Sequence, residues 1–448
     1  MNLPAGLRAK APLVLLIVLC ALSIGARVYH LDIPRETRSG TGFIFDEKYY
    51  VNAARVIAGV RMNPFDTYAL AAPSGADPNG EHPQLGKVII AAGIQLVGDN
   101  PIGWRITAVL FGTAALLLLY WLVRCLGGSP WLALGAAALG AADNLWLVHG
   151  RIAVLDIFCV PFMLGGAAFY LRRQPLISGL LIGIGACIKE FAVFALLAIL
   201  LLEAMRGVRW LVTSRSARSR RSLWRAVRAP LAVTVFTVAA FFSLLAVLDA
   251  TVVPFNSGHA VDRGQASACR YALVWQGACN HFSFMNAYAQ RLRSPKGPTG
   301  IASYPWQFWL DTKAITYYTS NRLVRTGNVV TSVKTTVNFQ GFINPLILGT
   351  GCLAIVLCGY WAVRRGDDVA MFVVAWTVAT WLPEELFSLV DQRTTYLYYM
   401  VVTMPAIYIA VARLLGQRLI PRWVVGTWAG VLLSLFVVLY PFRTLTGS

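Results

Sequence analysis

The chain has 448 residues, a formal net charge of +19, 57% hydrophobic residues and only 13% charged ones. Soluble globular proteins carry roughly 25% charged residues, so the composition excludes a soluble enzyme, a disordered tail and a nucleic-acid-binding domain. The apolar residues come in blocks of about 18 or more, enough to cross ~30 Å of hydrocarbon, and their continuity excludes a membrane β-barrel, whose strands alternate.

An all-α polytopic membrane protein is therefore expected. Its spans fall near residues 11–30, 103–123, 130–146, 154–171, 176–189, 191–205, 229–249, 343–363, 369–383, 395–412 and 423–441, about eleven in all. Arg8 and Lys10 precede the first span and place the N-terminus in the cytoplasm. Residues 31–102 then form a large outer loop. Within it, Phe45-Asp46-Glu47-Lys48-Tyr49-Tyr50 opens a helix with Tyr50, Ala54, Ile57 and Ala58 on one face. Asp46 is expected at its N-cap, with Glu47 as a first-turn acid. Glu81-His82-Pro83-Gln84-Leu85-Gly86-Lys87 follows, ahead of an apolar run at 88–97 that is too short to span and reads as interfacial or re-entrant.

Arg105 stands at the outer start of the second span. Asp156 lies just inside the outer end of another, where an acid is costly and needs a partner. Lys189-Glu190 breaks a long apolar stretch, either as an internal pair or where two short helices end at a polar cavity. The stretch from Arg206 to Arg228 holds eight Arg and no acid, and reads as a cytoplasmic topology anchor beside anionic lipid. A second outer loop covers 250–342. In it Cys269 and Cys279 stand ten residues apart, spaced for a disulfide if the compartment is oxidising. Ser303-Tyr304-Pro305-Trp306 closes this loop, and Tyr317 and Tyr318 follow as interfacial aromatics. Arg393, near Asp391, precedes Tyr396, Tyr398 and Tyr399 at the outer end of a later span. Making 88–97 cross and joining 176–205 into one span puts Arg124, Arg172 and Arg173 outside, so that topology is disfavoured.

Three regions result: an N-terminal transmembrane module (1–249) carrying the first outer loop, the second outer loop (250–342) and the C-terminal helices (343–448). Acids (Asp46, Glu47, Asp156) and cations (Lys87, Arg105, Lys189, Arg393) converge on the outer face. Cations to hold a leaving phosphate and a carboxylate to take a proton suit transfer from a lipid-phosphate-linked donor. A transporter or flippase of lipid-linked anions is the alternative class. No paired repeat with midplane charges, the mark of many transporters, is found. No His/Cys cluster has metal-ligand spacing, and a divalent ion between Asp46 and Asp156 has no support in the sequence.

The strings FDEKYYVNAARVI, HPQLGK, GWRITAVLFG, GRIAVLDIF, IGACIKE, SYPWQFW, FINP and RTTYLYY occur in this order. They resemble the protein O-mannosyltransferases and, more distantly, the lipid A aminoarabinose transferases, both of the GT-C superfamily with polyprenyl-phosphate sugar donors. The resemblance implies a GT-C fold and an inverting transfer, most simply of mannose, at the outer face of the plasma membrane. It makes Asp46 the catalytic acid, Glu47 its neighbour and Asp156 a second acid near the acceptor. His82, Lys87, Arg105, Lys189 and Arg393 fall around the donor phosphate, and Tyr50, Trp306 and Tyr398 line the donor and acceptor. The implied acceptor is a Ser/Thr hydroxyl of an exported protein, a glycolipid or a cell-wall glycan. Gln84 stands where the family has a second proline.

Overall fold

The computed structural model describes residues 5–36, 41–60, 72–213, 220–255, 269, 275–326 and 329–442. The helices in chain order are α1 (Ala5–Val28), α2 (Glu47–Ile57), α3 (Leu85–Val97), α4 (Pro101–Cys125), α5 (Pro130–Ala142), α6 (Asn144–His149), α7 (Leu155–Leu171), α8 (Pro175–Ala186), α9 (Val193–Thr213), α10 (Arg220–Thr251), α11 (Gln276–Arg291), α12 (Pro345–Arg365), α13 (Asp368–Val390), α14 (Met404–Leu415) and α15 (Arg422–Val438). Several starts pair a polar cap with proline in the first turn, where its missing N–H costs nothing. Asn100 caps α4 ahead of Pro101, Ser129 caps α5 ahead of Pro130, and Asn344 caps α12 ahead of Pro345.

Among the described residues six helices are long and apolar enough to cross a membrane: Lys10–Val28, Pro101–Cys125, Glu190–Thr213, Val227–Thr251, Pro345–Arg365 and Asp368–Val390. Apolar helices of 10–17 residues make up the rest of the bundle. The protein is thus a multi-pass helical membrane protein, with a helix at each of the regions expected to span. The outward side chains of α1 (Leu13, Val14, Ile17 and Leu22) are exposed, as hydrocarbon demands, while Trp104, Trp146 and Trp376 fill the interior. The short α8 packs backbone to backbone on α10. A Cβ on Gly179 would lie 2.6 Å from the Phe236 Cβ, and one on Gly183 would lie 2.6 Å from the Ala240 Cβ. Such close approach is how membrane helices gain contact without a hydrophobic drive.

Two irregular regions matter for function. The break foreseen at Lys189 is present: α8 ends, residue 189 is extended, and a 3₁₀ turn, Glu190–Ala192, leads into α9. The 250–342 segment contains an addition to the helical architecture, an antiparallel hairpin of β1 (Ile315–Thr326) and β2 (Val329–Gly341). Its sequence signal is the β-branched run after Gly327-Asn328. The Cys269–Cys279 disulfide is formed and ties the segment before α11 to that helix.

Candidate active site

One end of the bundle gathers the start of α2, the start of α7, the end of α6, the 187–192 break, the base of β1 and the 3₁₀ turn Leu397–Val402. Asp46 caps α2 but makes no side-chain cap bond. It follows Phe45, whose φ of +55° is left-handed. Burial is the main reason its carboxyl is raised, to about 6; the charge of Lys189 lowers it, Asp156 raises it, and Lys48 and His82 lower it. Tyr50, one turn on, is buried, and its hydroxyl is held well above the usual range by burial and by the Asp46 and Asp156 charges.

Lys189 and Glu190 do not pair with each other. Lys189 Nζ donates to Asp156 Oδ1 at 2.6 Å, and both side chains are nearly inaccessible. The Lys189 ammonium also lies over the rings of Phe191, Tyr398 and Tyr399 at 4.8, 5.3 and 5.6 Å. Glu190 instead meets His82 Nδ1 at 3.1 Å, with both partly exposed. The reason is the break itself: an extended residue at 189 sends successive side chains to opposite sides. Asp156 does not pair with Arg151, which donates to the carbonyls of Tyr29 and His30 at 2.7 and 3.3 Å.

Two residues expected at the donor site, Arg105 and Lys87, have other partners. Arg105 Nε and Nη2 donate to Glu47 Oε1 and Oε2 at 2.8 Å each, and neither side chain is exposed. The remaining Arg105 donors reach the carbonyls of Leu31, Ile33 and Gly42, while Glu47 also accepts from the Ile44 and Ala153 amides. Lys87 is fully buried against Asp77 at 2.5 Å and donates to the His82 carbonyl at 2.8 Å. Gln84 Nε2 donates to Asp249 Oδ1 at 2.5 Å and to the Val252 carbonyl at 3.1 Å, tying the loop to α10.

Arg393 is partly exposed, donates to the Ala289 carbonyl at 2.7 Å, and has no ion-pair partner among the described residues. Trp306 is 48% exposed and stacks on Tyr304. Its turn is tied to the Arg393 segment by the Ser303 amide, which donates to the Thr395 carbonyl at 3.0 Å. Tyr398 is buried, edge-on to Phe45 with centroids 5.4 Å apart.

Two further residues, His149 and Glu384, belong to this end. His149 is buried with Nδ1 4.0 Å from Asp156 Oδ2 and Nε2 3.0 Å from the Tyr317 hydroxyl. Glu384 of α13 is 3% exposed, its Oε2 has no hydrogen-bond partner among the described residues, and the charges acting on it are those of Arg393 and Lys189. An acid pair after Pro383 at the end of an apolar run was a readable signal for Glu384. His149 carried none beyond lying just before the GRIAVLDIF string.

The profile of the dolichyl-phosphate-mannose-protein mannosyltransferase family matches residues 17–252. The chain belongs to this family. A polyprenol-phosphate-mannose–protein mannosyltransferase of Corynebacterium glutamicum is 34% identical over 169 residues, which take in 35% of this chain but only 30% of that relative. A protein of the same description from Mycobacterium tuberculosis is 25% identical over 479 residues, 92% of this chain and 85% of the relative. The fold is that of the Saccharomyces cerevisiae Pmt1-Pmt2 complex bound to the sugar donor, with TM-score 0.65 and 12% identity over 97% of this chain and 90% of that one. ArnT from Cupriavidus metallidurans bound to undecaprenyl phosphate matches at TM-score 0.50 and 16% identity, over 96% of this chain and 63% of that one. This family member is therefore a membrane protein of the GT-C superfamily.

Proposed function

We propose that the protein is an inverting glycosyltransferase that moves mannose from a polyprenyl phosphate to a Ser or Thr hydroxyl of an exported protein. The observation that carries this reading is Asp46: a carboxylate free of any cap bond, raised to about 6 by burial, within electrostatic reach of Lys189 and Asp156. Asp46 takes the acceptor proton as the acceptor oxygen attacks the anomeric carbon. The bond from that carbon to the phosphate oxygen breaks, and polyprenyl phosphate leaves with the electron pair.

Arg393, which has no carboxylate partner among the described residues, is the first cation for the leaving phosphate. Lys189 is the second, held by Asp156 until the phosphate competes for it. His82 flanks them through Glu190. Glu47, Arg105 and Lys87 are assigned to holding the loop, since their polar atoms are already engaged in buried bonds. Tyr50, Tyr398 and Trp306 line the sugar and acceptor path.

The names of the relatives support mannose and a protein acceptor. The loop charges support eleven crossings with the N-terminus in the cytoplasm and the site outside. The three regions 1–249, 250–342 and 343–448 follow from the same topology. Purified protein given a panel of polyprenyl-phosphate sugars with peptide, glycolipid and glycan acceptors tests the reading by mass spectrometry. Mannosyl-peptide is expected; transfer to the glycan alone overturns the acceptor, and no transfer from any donor overturns the reaction.

A further inference from the structure

Asp46 poses a problem of aim. An aspartate at a helix N-cap ordinarily turns back and accepts an amide N–H of the first turn. Asp46 does not, so its direction is set by the backbone just before it. That backbone is unusual: Phe45 is left-handed at φ +55°, a conformation a non-glycine residue holds only when its surroundings impose it.

The base of the hairpin imposes it. Thr316 pairs with Gln340 and Tyr318 with Phe339, so Tyr317 is the extra residue of a β-bulge. Bulges re-aim a side chain, and here the ring leaves the membrane-anchoring role its sequence suggested. Tyr317 is only 7% exposed, and its ring stacks on Phe45 with centroids 4.3 Å apart and planes at 21°. Its carbonyl accepts the Phe45 amide at 3.3 Å. Its hydroxyl meets His149 Nε2 at 3.0 Å. The partner strand makes room for this path: a Cβ on Gly341 would lie 2.3 Å from the Tyr317 hydroxyl. Ring, carbonyl and hydroxyl therefore hold three points, two of them on the residue before Asp46.

We propose that Tyr317 is a positioning residue for Asp46: it clamps Phe45 in its left-handed conformation, so that the Asp46 carboxylate points away from its own helix and toward the acceptor. The second outer loop thereby contributes to the reaction without touching the reacting atoms. The inference rests on the reading of Asp46 as general base.

The test is steady-state kinetics of Tyr317→Ala, Tyr317→Phe, Phe45→Leu and Asp46→Asn, each normalised to the folded protein that binds donor lipid. Tyr317→Ala is expected to lower kcat by about 10²-fold, the loss that follows a misplacement on the order of 1 Å, with KM for the donor little changed. The acid limb of its pH–kcat profile should move to lower pH, because freeing the loop hydrates a carboxyl that burial had raised. The charges facing it, Lys189, Asp156, Lys48 and His82, remain in place. Phe45→Leu should act in the same direction. Tyr317→Phe keeps the stack and loses one hydrogen bond, so at most about a tenfold loss is expected.

A residue that served stability alone would lower the yield and Tm of Tyr317→Ala and leave kcat per active molecule and the acid limb at parental values; that result overturns the proposal. If Tyr317→Ala does not accumulate, Phe45→Leu and Tyr317→Phe carry the same test. Parental kcat in Phe45→Leu, with its acid limb unmoved, then counts against the clamp. Asp46→Asn separates the two ideas. Full activity there removes the base itself, whereas an inactive Asp46→Asn beside a parental Tyr317→Ala removes only the clamp.

Discussion

As the proposed base, Asp46 can act only when it is ionised. Burial favours the protonated form and sets its carboxyl at about 6, so kcat is expected to be half its plateau near pH 6 and to fall further below that. Asp156→Asn tests the cause. It removes a negative neighbour and releases Lys189, and both changes favour the Asp46 carboxylate, so the acid limb should shift to lower pH. An unmoved limb would show that a different group sets it. Asp46→Asn keeps the shape and removes the base, and transfer should fall at least ~10²-fold while donor binding persists. At this scale the sequence was informative where charge is costly: an acid inside a span and a lysine at a break stand out because a membrane penalises them. What it did not carry was pairing. Lys189 meets Asp156, 33 positions away, and Glu190 meets His82, 108 positions away. Adjacency in the chain left internal pairing of Lys189 with Glu190 open, and the extended backbone at 189 separates the two side chains.

The elements around the site are held by buried charge. Glu47, the first residue of α2, is locked to Arg105 of α4 and also accepts the Ala153 amide just before α7, so one carboxylate fixes α2 against two membrane helices. Arg105→Ala leaves that carboxylate buried and unpaired, a cost on the order of 3–5 kcal/mol. Expression and Tm should drop steeply. Replacing both members, Arg105→Met with Glu47→Leu, should recover much of the stability. A stable Arg105→Ala variant that has lost only donor affinity would return Arg105 to the phosphate site. The same reasoning applies to Lys189 with its true partner. Lys189→Ala alone strands Asp156, whereas Lys189→Ala with Asp156→Ala should restore stability but not transfer. A double variant that is both stable and active would take Lys189 out of the donor site. Helix positions were legible because apolar blocks and Asn-Pro, Ser-Pro caps mark them. The hairpin was not, because Tyr317 and Tyr318 read as interfacial aromatics and not as the start of a strand. Its base, at Ile315, Tyr317, Val337 and Phe339, reaches the core.

At the scale of the whole molecule the proposed chemistry depends on orientation. Arg124, Arg172, Arg173, Arg364, Arg365, Arg413, Arg418 and Arg422 fall on one side when the N-terminus is cytoplasmic. On that side Arg413 meets Asp367, and Arg206 meets Asp368 at 2.7 Å. The candidate site lies at the other end of the helices, beside the 250–342 segment. Two exposed positions report the two faces: Lys296, in the loop after α11, and Leu419, between α14 and α15 and 94% exposed. In a background with the six free cysteines replaced, Lys296→Cys should react with a membrane-impermeant maleimide in intact cells. Leu419→Cys should react only after permeabilisation. The reverse pattern would put the site in the cytoplasm and remove exported proteins as acceptors, because a chain that receives its sugar during or after export meets only the outer face. It would also leave Arg393 and Lys189 on the side where the positive-inside rule alone explains them, and so remove the case for cations gathered there to hold a phosphate.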